Sequence, residues 1–185
     1  MNLIKTGFIA ITTMALALPL ASNASPQSIT LQSAMEDATI QLIESHVDQQ
    51  NLLRKTARIH SEIQLASFLS DTKNNHTPIN LLSPSARGRF LESLRFNETG
   101  VTSFYYADIE SELSSSQAYE LLSLFGIQST LSFMGKIRIE TTEDREIMST
   151  YANTSPLLMK DDHKEYWCSG SHTCSRSVGS ICMSG

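Results

Sequence analysis

No cysteine precedes Cys168, no glycine occurs between Gly7 and Gly88, and no proline occurs from Gln27 to Thr77. Without either strong breaker, the early part of the chain is not turn-rich and favours uninterrupted helix. The chain contains no C-x-x-C pair, no G-x-S-x-G elbow and no D-x-D-x-D-G loop. The usual sequence grounds for a zinc ribbon, a serine hydrolase or a calcium loop are therefore missing. Positive charge is also scarce, with 14 Lys and Arg against 19 Asp and Glu and a net charge of −5. That balance argues against a nucleic-acid or anionic-membrane binder, which needs a basic surface. Beyond the N-terminus the most apolar stretch, Leu121 to Met134, is interrupted by Gly126, Gln128, Ser129 and Thr130. It falls short of the roughly 20 apolar residues that cross a bilayer.

Export chemistry stands at the N-terminus. Lys5 supplies a positive charge, Gly7 to Leu18 form a charge-free apolar run, Pro19 breaks it, and Ser22-Asn23-Ala24 places small residues where a signal peptidase reads. In this order the features form a secretory signal, too short to span a membrane. The sequence thus predicts cleavage after Ala24 and a secreted or periplasmic product that does not span a membrane. An uncleaved anchor is the alternative. Lys5 is the only charge in the first 24 residues of the 185, so cleavage leaves 161 residues at a net charge of −6. That length suits one domain with its own core.

Three segments follow from this reading: a signal peptide at 1–24, a helical domain at 25–160, and a Ser/Gly/Cys-rich tail at 161–185. Apolar residues recur at Leu31, Met35, Ala38, Leu42, Ile43 and Val47, and again at Leu52, Ile59, Ile63, Ala66 and Leu69. This three-and-four spacing marks one helix face. Whether 29–70 is one helix or a hairpin stays open, with a bend expected near Asp48 to Asn51. Ser83-Pro84 opens a further helix, with a serine cap and proline at the first position. Its apolar residues are Phe90, Leu91, Leu94 and Phe96, and Asn97 to Gly100 ends it. Ser114 to Gln117 form a capping box and Gly126 stops the helix that follows. Thr142-Glu143-Asp144 begins another helix, with carboxylates favoured by its dipole. Val101 to Ala107 is β-branched and aromatic, and Lys136 to Glu140 is its only candidate partner. The expected fold is mainly α: a small helical domain with room for a minor two-stranded element, plus an irregular Cys-containing C-terminal tail.

The tail gathers His163, Cys168, His172, Cys174 and Cys182. Thiolates and imidazoles suit zinc or copper(I), but this spacing matches no zinc pattern, so no metal or cofactor is assigned. In an exported protein neighbouring cysteines pair, so Cys168, Cys174 and Cys182 are the disulfide candidates. Three is odd, so one thiol is left free or bridges to a second chain as a disulfide-linked dimer. Which two pair is not derivable from the sequence. The carboxylates Asp108, Glu110, Glu112, Glu140, Glu143, Asp144 and Glu146 read as caps and solvated faces. Arg87, Arg89 and Arg95 form a small basic patch that reads as an exposed face with alkyl stems lying on apolar neighbours; the alternative is a grip on an acidic partner. No catalytic residue is assigned, and enzymatic activity is not expected. The sequence reading is an exported protein-interaction or envelope-associated module with a protein partner and no nucleic acid. The alternative is a thiol- or metal-active protein using the C-terminal Cys/His cluster, and the third is a precursor of a modified secreted peptide.

Overall fold

The computed structural model of the protein describes residues 26–71, 76–152, 162–170 and 173–183. The signal segment expected at 1–24 lies outside them. The chain divides into two compact units at Asp37 and Ala38. In the first, the described part is the beginning of helix α1 (Pro26–Lys55), where Gln32 to Asp37 are exposed. The second unit holds the rest of α1 and everything that follows. None of the described helices is long and apolar enough to cross a membrane.

Continuous helix runs through Asp48 to Asn51, where a bend was expected, and breaks instead at Thr56 to Ser61. Ser61 then caps α2 (Glu62–Ser70) by accepting a hydrogen bond from the Gln64 N–H. The expected apolar stripe is only partly buried. Ile43 and Val47 are half-buried and Ile59 fully buried, whereas Leu42, Leu52, Ile63 and Leu69 are exposed. α2 turns Phe68 inward instead, with the Arg58 guanidinium 4.8 Å from its ring centroid.

Local capping chemistry sets the next elements. Ser83 caps α3 (Pro84–Ser93) through the Ala86 N–H, and proline sits where its missing N–H costs nothing. Glu112 accepts from both the N–H and the hydroxyl of Ser83, at 2.7 Å each, and ties that cap to α4 (Ala107–Glu112). The reciprocal Ser114–Gln117 box opens α5 (Ser115–Ser123). Gly126 has φ +68, and a side chain there would meet the Leu53 carbonyl oxygen at 2.3 Å. Only glycine allows the last turns of α1 to come this close. α6 (Thr142–Ala152) is capped one residue earlier than its expected start, by the Thr141 hydroxyl accepting from the Asp144 N–H at 3.0 Å.

A four-stranded antiparallel sheet corrects the mainly-α expectation. Its strands are β1 (Arg95–Asn97), β2 (Gly100–Tyr105), β3 (Asp162–Gly170) and β4 (Thr173–Met183), in the order β1-β2-β4-β3. Phe96 and Asn97, placed at the end of a helix by the sequence, belong to β1 and its turn into β2. β2 does not pair with Lys136 to Glu140, where only Arg138 forms an isolated bridge, to Ser114. It pairs with β1 on one side and with β4 on the other, where Ser103 lies opposite Cys182 and Phe104 opposite Ile181. The tail expected to be irregular is therefore a β-hairpin whose second strand lies in the middle of the sheet. Ile181, Cys182 and Met183 are buried there. Burying two to three apolar side chains stabilises by several kcal/mol, enough to outweigh the weak strand propensity of Ser and Gly.

α3, β2 and α5 meet in the core. Phe90 packs edge-on against Phe104 at 6.1 Å and against Phe125 at 5.6 Å, and all three are fully buried. Edge-to-face contact of this kind adds to plain burial. Ile109, Leu121, Leu122 and Leu131 close the core around them.

Candidate functional site

Two features share the C-terminal hairpin: a groove at its flank and a cluster of three sulfurs. Both depend on an irregularity where β3 meets β4. The register passes from Lys164 opposite Ile181 to Tyr166 opposite Arg176, so Glu165 alone faces residues 177–180. Glu165 adopts φ +66, a left-handed conformation that disfavours a side chain. Its carboxylate pins the bulge by accepting hydrogen bonds from the Tyr106 hydroxyl and, at 2.9 Å, from the Gly179 N–H. Those bonds hold the Glu165 carboxyl below its ordinary range, and the Tyr106 phenol is raised, chiefly by burial and then by the Glu165 carboxylate. The Tyr106 N–H donates in turn to the Gly179 carbonyl at 2.7 Å. Gly179 has φ +82, and a Cβ there would strike the Tyr105 ring at 2.7 Å.

Residues of α3 and of both hairpin strands line an open groove of about 340 Å³. Arg89, Arg95, Tyr105, Trp167, Ser177 and Ser180 line it, and Glu92 is the one carboxylate in its wall. The Arg95 guanidinium stands 5.0 Å from the Trp167 ring centroid, a cation–π contact between two of the lining residues. It also donates to the carbonyls of Glu92 and Leu94. Arg89 makes a two-pronged ion pair with Asp108, both contacts 2.8 Å, and that carboxylate raises the arginine's pKa. About half of the Arg89 side chain remains in solvent. Arg87, the third member of the expected basic patch, bonds Asn80 instead.

The disulfide joins Cys168 to Cys182, with their Cα atoms 5.1 Å apart, and Cys174 is a free, exposed thiol. Of the three loops the sequence allowed, the largest is the one closed. The Cys174 sulfur nevertheless lies 2.8 Å from the Cys182 sulfur, and all three sulfurs fall within 4.8 Å of one another. His163 stays outside this cluster, its ring 6.1 Å from that of Tyr166. His172 lies outside the described residues. With two sulfurs bonded to each other, the cluster offers a metal one thiolate, less than a closed site needs.

Asp108, Glu110, Glu112 and Asp144 serve structure. Glu110 accepts from the Lys136 N–H at 2.8 Å, and Asp108 and Glu112 hold α3 as described. Asp144 is fully buried and accepts from the N–H groups of Ser116, Glu140 and Thr141 and from the Ser115 hydroxyl. Burial alone would raise its pKa, but these bonds hold it far below the ordinary carboxylate range. Sequence reasoning found the cysteines and arginines but missed Glu165, Tyr105 and Trp167. Trp167, the single tryptophan, beside one cysteine of a cluster was the available signal. Compared with family models, curated proteins and solved structures, the chain matches none.

Proposed function

We propose that the protein is exported to the periplasm or the exterior and works by binding another protein, without catalysis. The N-terminal signal anatomy supports export. The observation that carries the binding reading is the groove in which Arg95 stacks on Trp167 and a half-exposed Arg89 also lines the wall. Two guanidinium groups beside tyrosine and tryptophan suit an extended, acidic segment: the arginines meet carboxylates and the rings meet apolar stems. Burial of Ile181 to Met183 within the sheet weighs against the peptide-precursor reading, since excising that segment would remove part of the core.

Because Trp167 is the only tryptophan, its fluorescence reports directly on the groove. Titration of the mature protein with poly-glutamate should give a saturable change that salt weakens and poly-lysine does not reproduce. Arg95→Ala should weaken it about tenfold, the equivalent of roughly 1.4 kcal/mol. N-terminal sequencing of exported material should read SPQSIT. An unchanged Trp167 signal, or equal responses to both polymers, would contradict the binding reading, and a cytosolic product retaining Met1 would contradict export.

A further inference from the structure

We propose that the three sulfurs of the hairpin form a thiol–disulfide exchange switch in which Cys174 displaces Cys168 from Cys182. The inference goes beyond the binding reading and does not depend on it. Cys182 is the central sulfur, bonded to Cys168 on one side and approached by Cys174 at 2.8 Å on the other. Cys168 and Cys174 are also direct partners in the β3–β4 register, so the nucleophile and the leaving group are held on facing strands. Exchange proceeds by attack of a thiolate on one sulfur of a disulfide, and here the attacking group needs no diffusion to reach its target.

The step balances within the chain. Cys174 gives up its proton to solvent and attacks Cys182. The Cys174–Cys182 bond forms, the Cys168–Cys182 bond breaks with its electron pair going to Cys168, and Cys168 takes up a proton. No oxidant or reductant is consumed. The protein also offers the released thiol an acceptor, since the Thr102 carbonyl oxygen lies 3.2 Å from the Cys168 sulfur.

The two bridges differ in what they hold. Cys168–Cys182 ties β3 to the buried end of β4, across the bulge. Cys174–Cys182 closes a loop within β4 alone and leaves β3 without a disulfide tether. Trp167 immediately precedes Cys168 and forms a wall of the groove, so exchange loosens that wall. The switch therefore gives the groove a covalently fixed form and a looser one.

Non-reduced wild-type protein incubated with N-ethylmaleimide tests this. Trypsin cuts after Lys164 and Arg176, so the 165–176 peptide carries both Cys168 and Cys174. Fragmentation of that peptide then locates the label. The expected result is two labelled forms, one at Cys174 and one at Cys168, the second accumulating at a rate independent of protein concentration. Cys174→Ser should lose the Cys168 label entirely. Cys168→Ser should contain a Cys174–Cys182 bridge and no free thiol. Label confined to Cys174 in the wild type overturns the switch, however Cys168→Ser behaves. So does Cys168 label whose rate rises with protein concentration, which would mark exchange between chains.

Discussion

Replacing Phe90 with alanine should cost the fold about 3–5 kcal/mol, the range for a buried phenylalanine whose cavity cannot fully collapse. Phe90 of α3 is fully buried, held edge-on by Phe104 of β2 and by Phe125, just past the end of α5. Its loss removes apolar burial and both ring contacts at once. Neither neighbour can move in to fill the space, because Phe104 is fixed in a sheet and Phe125 lies beside the close α1–Gly126 contact. For a domain of this size that is a large share of the total stability. Urea unfolding should show a lower midpoint with an unchanged slope. A loss under 1 kcal/mol would mean that the three rings are not the centre of the core.

The second large effect is expected at Asp144. Its two carboxylate oxygens collect four donors, three of them backbone N–H groups, and join the start of α5 to the start of α6. In Asp144→Asn the side-chain NH2 faces donors where an oxygen accepted before. Leaving two such donors unpaired, and removing charge from the remaining bonds, should cost about 3 kcal/mol. The pH dependence follows from the direction of the shift. The carboxyl sits far below its unfolded value of about 4. Its contribution is therefore complete above about pH 5 and falls away as pH drops below 4, where the unfolded chain takes up a proton that the folded chain refuses. Over that acid range the wild type should lose up to about 1.4 kcal/mol per pH unit more than the Asn variant. Denaturant midpoints from pH 7 to pH 2.5 supply the comparison, and parallel curves would show that Asp144 is not held ionised by these bonds.

What the sequence revealed and what it hid divide along the range of the interactions. The caps at Ser83, Ser114 and the Thr141–Asp144 turn use groups within four residues of one another, so the starts of α3, α5 and α6 were legible or nearly so. The sheet was not. Phe104 pairs with Ile181 across most of the second half of the chain, and no local pattern announces such a partner. The bulge at Glu165 hid it further, because residues 177–180 interrupt the two-residue alternation by which a strand is recognised. The stripe on α1 misled for the opposite reason. Its periodicity is real, but Leu42 and Leu52 face solvent, and helical spacing does not say what covers a face. The cysteines were recognisable as a group from their spacing and the export that the N-terminal segment led one to expect. Their pairing was not, because it depends on how the hairpin bends over β2.

Both functional proposals rest on one structural claim, that residues 173–183 form an integral strand in the middle of the sheet. Hydrogen exchange on the native, oxidised protein tests it most directly. Peptides covering 179–183 should exchange as slowly as those covering 118–122 of α5, because Ile181 and Met183 share one core with Ala118, Leu121 and Leu122. Exchange of 179–183 within seconds, while α5 stays protected, would mean that the C-terminus is a loose tail, and would contradict the sheet and the groove and switch built on it.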